Sequence, residues 1–334
     1  MGRSDKAPAS GEFVRRQLAA LKSITQDEIL FSYFEMPSEV ANANSSTKRY
    51  LTFVSAFFTK YIFSRKKFSI LHVHFFFPTI LLAIAYKIFR NPRVKIITTF
   101  HGNDVYAYRH APWWYRISFS FVHHSIFVTE RLKQSFYNQN ISYSVLCAGI
   151  LPVFKAEAKK VKEYDLIFVG TLNKNKGALR LIELLGQLPD SVSLAVVGTG
   201  EFQRELEGLS KNHNVEYFKF SCAEELVNLY QKSKWLINLS YNESFGLVIT
   251  EAMACGLPVI ATKTDGSLSQ VIENHNGYII QQNEKISGNI FKLISETSRY
   301  KYNQLSDNAK LSTKKYQLSF VVKEIKKIYL EIIN

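Results

Sequence analysis

Two glutamates eight positions apart, Glu243 and Glu251, lie in the densest cluster of reactive residue types in the chain, Asn242 to Ile260 (NESFGLVITEAMACGLPVI). The pattern predicts a strand ending near Ser240, a turn at Phe245-Gly246-Leu247 with free N–H groups, and a helix from Leu247 to Cys255. A helix start of this kind can hold a phosphate, because its first N–H groups have no intrahelical acceptor. One carboxylate then lies in the loop before the helix and the other on it, where a pair of sugar hydroxyls could be gripped. Two glutamates on a helix-loop unit have an equally good structural reading. A second cluster, His101-Gly102-Asn103-Asp104, follows a strand at the edge where open α/β sheets place ligands. There His101 is a polar donor, Gly102 permits close backbone approach, and Asp104 caps or orients. A third, Gly170 to Gly177 (GTLNKNKG), is a strand-to-helix loop with Lys174 and Lys176; it lacks the GxxxxGK[ST] pattern, but a lysine above a helix start can meet a diphosphate. Gly198-Thr199-Gly200 is a weaker echo that turn chemistry also explains. His72 and His74 alternate on a strand and face one side, yet a metal needs a third ligand that the sequence does not supply, so no metal is expected.

The elements that position these residues are short apolar runs followed by helical periodicity. Strands are predicted at Lys95 to Phe100, Ser125 to Thr129, Asp165 to Val169, Ser193 to Val197, Trp235 to Leu239 and Leu257 to Ala261. Helical spacing follows in ERLKQSF, in Ala178 to Leu188, in EFQRELEGL and in Phe320 to Ile333. This alternation indicates parallel sheets covered on both faces, the α/β class. With 334 residues, two domains are expected. A polar stretch, Leu151 to Lys162, separates an N-terminal domain, 1–155, from a C-terminal one, 156–334, whose last helix is expected to pack back on the first domain. A doubly wound domain opens with a strand, but here Ser10-Gly11-Glu12 leads directly into the helical FVRRQLAALKS; no strand is expected ahead of Ser10.

Charge divides the chain as well. Lys and Arg number 42 against 28 acids, net +14, and residues 1–155 hold 20 bases and 8 acids, which puts +12 in the first half. Such a balance points to an acidic partner: nucleic acid, an anionic membrane surface or a phosphorylated ligand. It also simply favours solubility. No RNP, KH or zinc-finger pattern accompanies it, so no specific nucleic-acid partner is expected. Phe53 to Phe68 mixes aromatics with Lys60, Arg65, Lys66 and Lys67, as an interfacial helix would, and an ordinary amphipathic surface helix reads the same. The longest apolar run, Phe75 to Tyr86, is too short to span a bilayer and is expected to be a helix buried against a sheet. Cys147, Cys222 and Cys255 form no CxxC pair, which fits a reducing, cytoplasmic setting, and MGRSDKAPASGEF does not resemble a signal peptide.

NESFGLVITEAMACGLPVIAT resembles the signature block of the retaining GT-B glycosyltransferases with an E-x7-E motif, the family 4, group 1 type. Gly11 to Gln17 is similar to that family's first helix start, His72 to Phe75 to its third-strand region, His101 to Asp104 to its His-Gly-x-Asp loop, and Phe168 to Gly177 to the entry of its second domain. The resemblance implies two Rossmann-like domains facing across a cleft, the second holding a nucleotide-sugar donor and the first most of the acceptor, with the first domain lacking its opening strand. It implies that Glu251 binds the ribose and that Glu243 and His101 lie at the reacting sugar. Ser244, Phe245, Gly246, Leu247, Lys176, Lys174 and Gly11 then line the donor, with Asp104 and Arg109 on the acceptor side. It implies no cofactor besides the donor, UDP- or GDP-linked, and a leaving diphosphate stabilised by cations and helix termini rather than by a metal.

The sequence departs from that family where its Gly-Arg is Gly170-Thr171, with Lys174 as the substitute cation. It departs again where Gly-Gly-x-Pro-Glu becomes Gly266-Ser267-Leu268-Ser269-Gln270, which predicts an unusual helix start. The expected function is transfer of a sugar to a glycan or polyprenyl-linked acceptor in surface polysaccharide synthesis, in the cytoplasm or peripherally on the inner face of the cell membrane. The alternatives are transfer to a small soluble acceptor, and a non-catalytic nucleotide-sugar-binding scaffold.

Overall fold

Runs of Ile, Val, Leu and Phe that are buried along their whole length form the strands. Lys95–Phe100 buries all but its first residue, and Leu194–Val197 and Val259–Thr262 bury every residue, as central parallel strands do. The computed structural model describes residues 11–26, 28–36, 46–157, 160–210, 214–219, 222–283 and 285–333. The chain divides into two units, 1–149 with 318–334, and 150–317.

In the first unit, β1 (Ile70–His74), β2 (Lys95–Phe100), β3 (His124–Phe127) and β4 (Tyr143–Val145) form a parallel sheet in the order β1-β2-β3-β4. The helix Phe76–Phe89 buries Phe76, Ile80 and Tyr86 completely against it, and leaves Leu81, Ile88 and Phe89 exposed. Helix Glu12–Thr25 meets the returning helix Leu318–Ile333, where Lys326 pairs with Glu28 at 2.8 Å and the Tyr329 hydroxyl lies 2.6 Å from His72 Nδ1. The opening region ahead of Ser10 lies outside the described residues.

The second unit contains β5 (Tyr164–Val169), β6 (Leu194–Val197), β7 (Val215–Phe218), β8 (Ser233–Asn238), β9 (Val259–Thr262) and β10 (Gly277–Ile280). All pair in parallel, in the order β10-β9-β8-β5-β6-β7. Alternation along β5 sends Leu166 and Phe168 into one core and Ile167 into the other, so helices cover both faces. Each such fully buried Leu or Phe contributes roughly 1.5–3 kcal/mol of transfer free energy. The order reverses between β5 and β8. That is the topological switch point, where the loops leaving the two strands part to opposite faces and open a crevice at their carboxyl ends.

Three details differ from the sequence expectations. The helix Ser46–Phe57 continues as a π-helical turn, Phe58–Ile62, and ends there, so Arg65, Lys66 and Lys67 lie beyond the helix rather than on it. Strands β4, β7 and β10 were not expected; each is only three or four residues long and sits at a sheet edge. The helix at Gly266 starts regularly: Thr264 accepts the Ser267 N–H at 3.1 Å, and Ser267 Oγ accepts the Thr264 N–H at 2.9 Å. This capping box uses Ser where the common form has Glu or Gln, which is why the sequence hid it.

Candidate functional site

In the second unit the switch point brings Lys176 and Glu243 together. Lys176 ends the loop after β5; Glu243 lies in the loop after β8; their Nζ and Oε2 form an ion pair that is partly shielded from water. The Lys176 loop is shaped by its own side chains. The Lys176 N–H donates to Asn173 Oδ1 at 2.9 Å, and Asn175 ties the loop to the next one, its carbonyl accepting the Tyr241 N–H at 2.8 Å. Gly177 then turns left-handed (φ 85°) into the helix Ala178–Leu185, with no room for a side chain beside the Leu239 carbonyl. Gly198, in the loop after β6, approaches the Gly170 carbonyl so closely that a Cβ would fall 1.9 Å from its oxygen.

Glu243 is followed by Ser244, Phe245 and a left-handed Gly246 (φ 83°), then by the helix Leu247–Ala254, which carries Glu251. Among the described residues the N–H groups of Phe245, Gly246 and Leu247 have no protein acceptor, so the helix start presents free donors. The Glu243 carbonyl is held by the Gly266 N–H at 2.7 Å. Behind the turn, the buried Gln270 amide donates to the carbonyls of Phe245, Gly246 and Gly266, while its Oε1 accepts from Thr250 at 2.5 Å. Gln270 therefore locks the glycine turn from beneath.

Arg180 was not singled out by the sequence, because an arginine at a helical position usually faces water. Here it is buried: Nη1 donates to the Leu239 carbonyl at 3.0 Å, Nη2 to Gln282 Oε1 at 2.6 Å, and the guanidinium stacks 3.6 Å from the Tyr241 ring centroid. It satisfies the carbonyls where the chain leaves β8 and so fixes the base of the Glu243 loop. Lys174 and Thr171 are exposed, and the Lys174 N–H binds Glu201 at 3.2 Å.

In the first unit His101 leaves β2 beside β1. Its Nε2 lies 3.2 Å from His74 Nδ1, and its ring packs on Phe75 and Phe13 with centroids 4.4 and 4.9 Å away. His72 stacks on His74 at 4.4 Å and bonds Thr99 Oγ1 at 2.7 Å. Burial depresses all three rings, His74 to about 4 and the others well below the usual range, so they are neutral imidazoles at pH 7. Asp104 is buried; its carboxylate accepts the N–H groups of His101 (3.0 Å), Gly102 (2.9 Å) and Phe76 (3.4 Å). Its bonding capacity goes to the protein's own backbone, and it orients the loop. Burial raises its pKa, and those backbone bonds oppose the rise. Arg109 is exposed, with its guanidinium 5.3 Å from the Tyr106 ring centroid. Gly11 starts its helix at φ 71°, beside Arg15, Tyr33 and Glu35. No group of His, Cys, Asp and Glu that could hold a metal ion occurs among the described residues, and no described helix is long and apolar enough to cross a membrane.

Two family models match the chain: Glycosyltransferase Family 4 over residues 28–145 and Glycosyl transferases group 1 over residues 152–312. The N-acetyl-alpha-D-glucosaminyl L-malate synthase of Bacillus anthracis is 25% identical over 295 residues, 81% of this chain and 76% of that one. An uncharacterised glycosyltransferase of Methanocaldococcus jannaschii is 28% identical over 171 residues, 50% of this chain, so the chain spans about half the length (48%) of that relative. Among solved structures, sucrose-phosphate synthase from Thermosynechococcus elongatus matches with a TM-score of 0.78 at 18% identity, over 99% of this chain and 95% of that one. Anabaena HepE in complex with UDP-glucose matches with a TM-score of 0.72 at 17% identity, over 99% and 98%. These structural likenesses show a shared fold. Joined to the two family matches, which together take in most of the chain, they place it: the chain belongs to the GT-B-fold glycosyltransferases, related to family 4 and group 1.

Proposed function

We propose that the chain transfers a sugar, with retention of anomeric configuration and without a metal, from a nucleotide-sugar donor to a glycan or lipid-linked acceptor in surface polysaccharide synthesis. The observation that carries this reading is the Lys176–Glu243 pair at the switch point, beside the free N–H groups of Phe245 to Leu247. A cation and a helix start are what a diphosphate needs when no metal is used, both as bound donor and as leaving group. In this reading Lys176 exchanges its partner Glu243 for the diphosphate, which frees the carboxylate to meet the sugar hydroxyls. Glu251, one turn into the helix, takes the ribose. His101, a neutral imidazole, supplies a hydrogen bond to the transferred sugar. The relative solved with UDP-glucose supports a UDP-linked donor.

The lipid-linked acceptor rests on the first unit. It carries most of the net positive charge, and its helix Ser46–Phe57 exposes Leu51 and Val54, with Phe63 exposed just beyond and Lys60, Arg65 and Lys66 close in sequence. Apolar side chains mixed with cations suit an anionic membrane surface. Binding of a UDP- and GDP-sugar panel, followed by release of free nucleotide, tests the reading. Lys176→Ala is expected to weaken donor binding roughly 10- to 150-fold, the worth of a charge-assisted contact of about 1.5–3 kcal/mol, whereas Lys174→Ala changes it little. No binding of any panel member at millimolar concentration overturns the reading.

A further inference from the structure

Lys176 and Glu243 reach each other from the loops after β5 and β8, and the residue just before each of them meets its counterpart across the gap. Three hydrogen bonds join these neighbours. The Asn175 carbonyl accepts the Tyr241 N–H at 2.8 Å, Asn175 Nδ2 donates to the Asn242 carbonyl at 3.1 Å, and Asn242 Nδ2 donates to Asn175 Oδ1 at 3.4 Å. Both ends of the Asn175 amide are therefore spent on one residue of the other loop, and its carbonyl on the residue before that one. A short amide suits this place because it gives and accepts at once. Each loop is also braced from its own side: Asn173 Oδ1 accepts the Lys176 N–H at 2.9 Å, and the Glu243 carbonyl accepts the Gly266 N–H at 2.7 Å. Asn175 and Asn242 are exposed, so their bonds compete with water and add little to the stability of the unit. What they fix is the separation of two loops.

We propose that Asn175, with Asn242 as its counterpart, is a positioning residue: this clasp holds Lys176 and Glu243 at the spacing in which the donor meets them. Resting on the donor reading above, the clasp answers a need that the exchange of partners creates. Before donor binds, the ion pair itself ties the two loops together. When Lys176 turns to the diphosphate, that tie breaks just as the two side chains most need a fixed spacing. The clasp uses neither side chain, so it survives the exchange. Lysine makes such help necessary, because its ammonium rides on a flexible four-carbon stem and lacks the rigid fork of arginine. A reacting group displaced by about 1 Å can cost roughly 100-fold in rate. The three bonds are unequal. Asn175→Ala removes two of them, whereas Asn242→Ala removes only the longest and leaves the carbonyl that accepts from Asn175. Loss of Asn175 should therefore be felt more than loss of Asn242.

The test titrates UDP, GDP and their glucose conjugates into the full chain, into Asn175→Ala, Asn242→Ala and Lys176→Ala, and into the double variant Asn175→Ala/Lys176→Ala. Asn175→Ala is expected to weaken binding about tenfold, the lower end of the loss expected for Lys176→Ala itself, and Asn242→Ala to weaken it less. Tm should stay within about 2 °C of the parent, as for a surface substitution. In the Lys176→Ala background Asn175→Ala should add less than about twofold, since the residue it positions is gone. An asparagine that touches the donor itself, or that is purely structural, costs the same factor in both backgrounds, and that result overturns the proposal. So does parent-like binding by Asn175→Ala beside a weakened Lys176→Ala. If Lys176→Ala binds like the parent, or nothing binds, it is the donor reading that fails, and the clasp is then judged without donor. The Lys176 ammonium, followed by nitrogen NMR, is slow to exchange its protons while Glu243 holds it. In Asn175→Ala it should exchange roughly 2- to 10-fold faster, the worth of one lost hydrogen bond; unchanged exchange overturns the clasp.

Discussion

Gly177→Ala isolates the geometry that delivers Lys176. The residue sits at φ 85°, ψ 26°, and a Cβ there would lie 2.2 Å from the Leu239 carbonyl oxygen, 2.6 Å from its carbon and 2.7 Å from its Cβ. Left-handed backbone costs a residue with a side chain about 1–2 kcal/mol, and overpacking against backbone adds roughly 1–3 kcal/mol. The sum, on the order of 2–5 kcal/mol, is a large share of the roughly 5–15 kcal/mol that holds a domain together. For a unit of this size it lowers Tm by about 4–20 °C. The strain cannot be relieved by moving Leu239 alone, because its carbonyl also accepts from the buried Arg180. Relief must instead shift the Lys176 loop away from β8, so donor affinity should fall together with stability. Urea unfolding and calorimetry measure the first quantity and nucleotide-sugar titration the second. Gly208→Ala is the control: that glycine is exposed within the helix Gln203–Ser210, nothing lies within 4 Å of its would-be Cβ, and alanine there should stabilise by about 0.5–1 kcal/mol. A Gly177→Ala protein within about 0.5 kcal/mol of the parent, binding donor normally, would refute this account of the loop.

Two further outcomes follow from the same contacts. His72, His74 and His101 have folded pKa values below the ordinary 6.5, so the unfolded chain binds more protons as the medium acidifies; their contribution to stability is complete above about pH 6.5 and lost as pH falls toward about 4. Tm should therefore drop between pH 7 and pH 5, and His74→Asn should flatten the drop; an unchanged slope in that variant counts against the buried stack as its cause. Gln270→Ala should cost roughly 1–3 kcal/mol in urea unfolding, since it strands the Phe245 carbonyl and the Thr250 hydroxyl. Gln270→Glu should be worse at pH 8 than at pH 5, because an ionised carboxylate has no proton to give three surrounding carbonyls; equal losses at both pH values would remove the amide from its role.

The parts of the site legible in sequence were those whose chemistry is local. Glu243 and the glycine turn stand out because Phe-Gly-Leu ahead of a helical run is a backbone statement, complete within a few residues. Lys176 was readable as a loop lysine, but its pairing with Glu243 is set by β8 lying beside β5, a non-sequential neighbour that no local pattern reveals. Arg180 escaped for the same reason, since the carbonyls that make its burial tolerable belong to a strand end some sixty residues away. The short edge strands β7 and β10 escaped because four residues are too few to show a period.

The chain passes between its two units twice, and both passages are pinned. The Ile150 N–H donates to the Tyr316 carbonyl at 2.9 Å, and Gly149 lies so close to Leu318 that a Cβ would come within 2.9 Å of its Cα. The second unit is therefore an insert whose two ends meet. When it is folded, its ends lie side by side and the first unit has only a short gap in its own chain to close. When it is unfolded, the first unit must tie off a floppy loop of nearly 170 residues, an entropic burden of about 4–5 kcal/mol. Folding of 150–317 thus stabilises the other unit through chain connectivity alone. The same adjacency makes 150–317 a cassette: it can be exchanged for another insert with neighbouring ends without re-routing a single strand of its host.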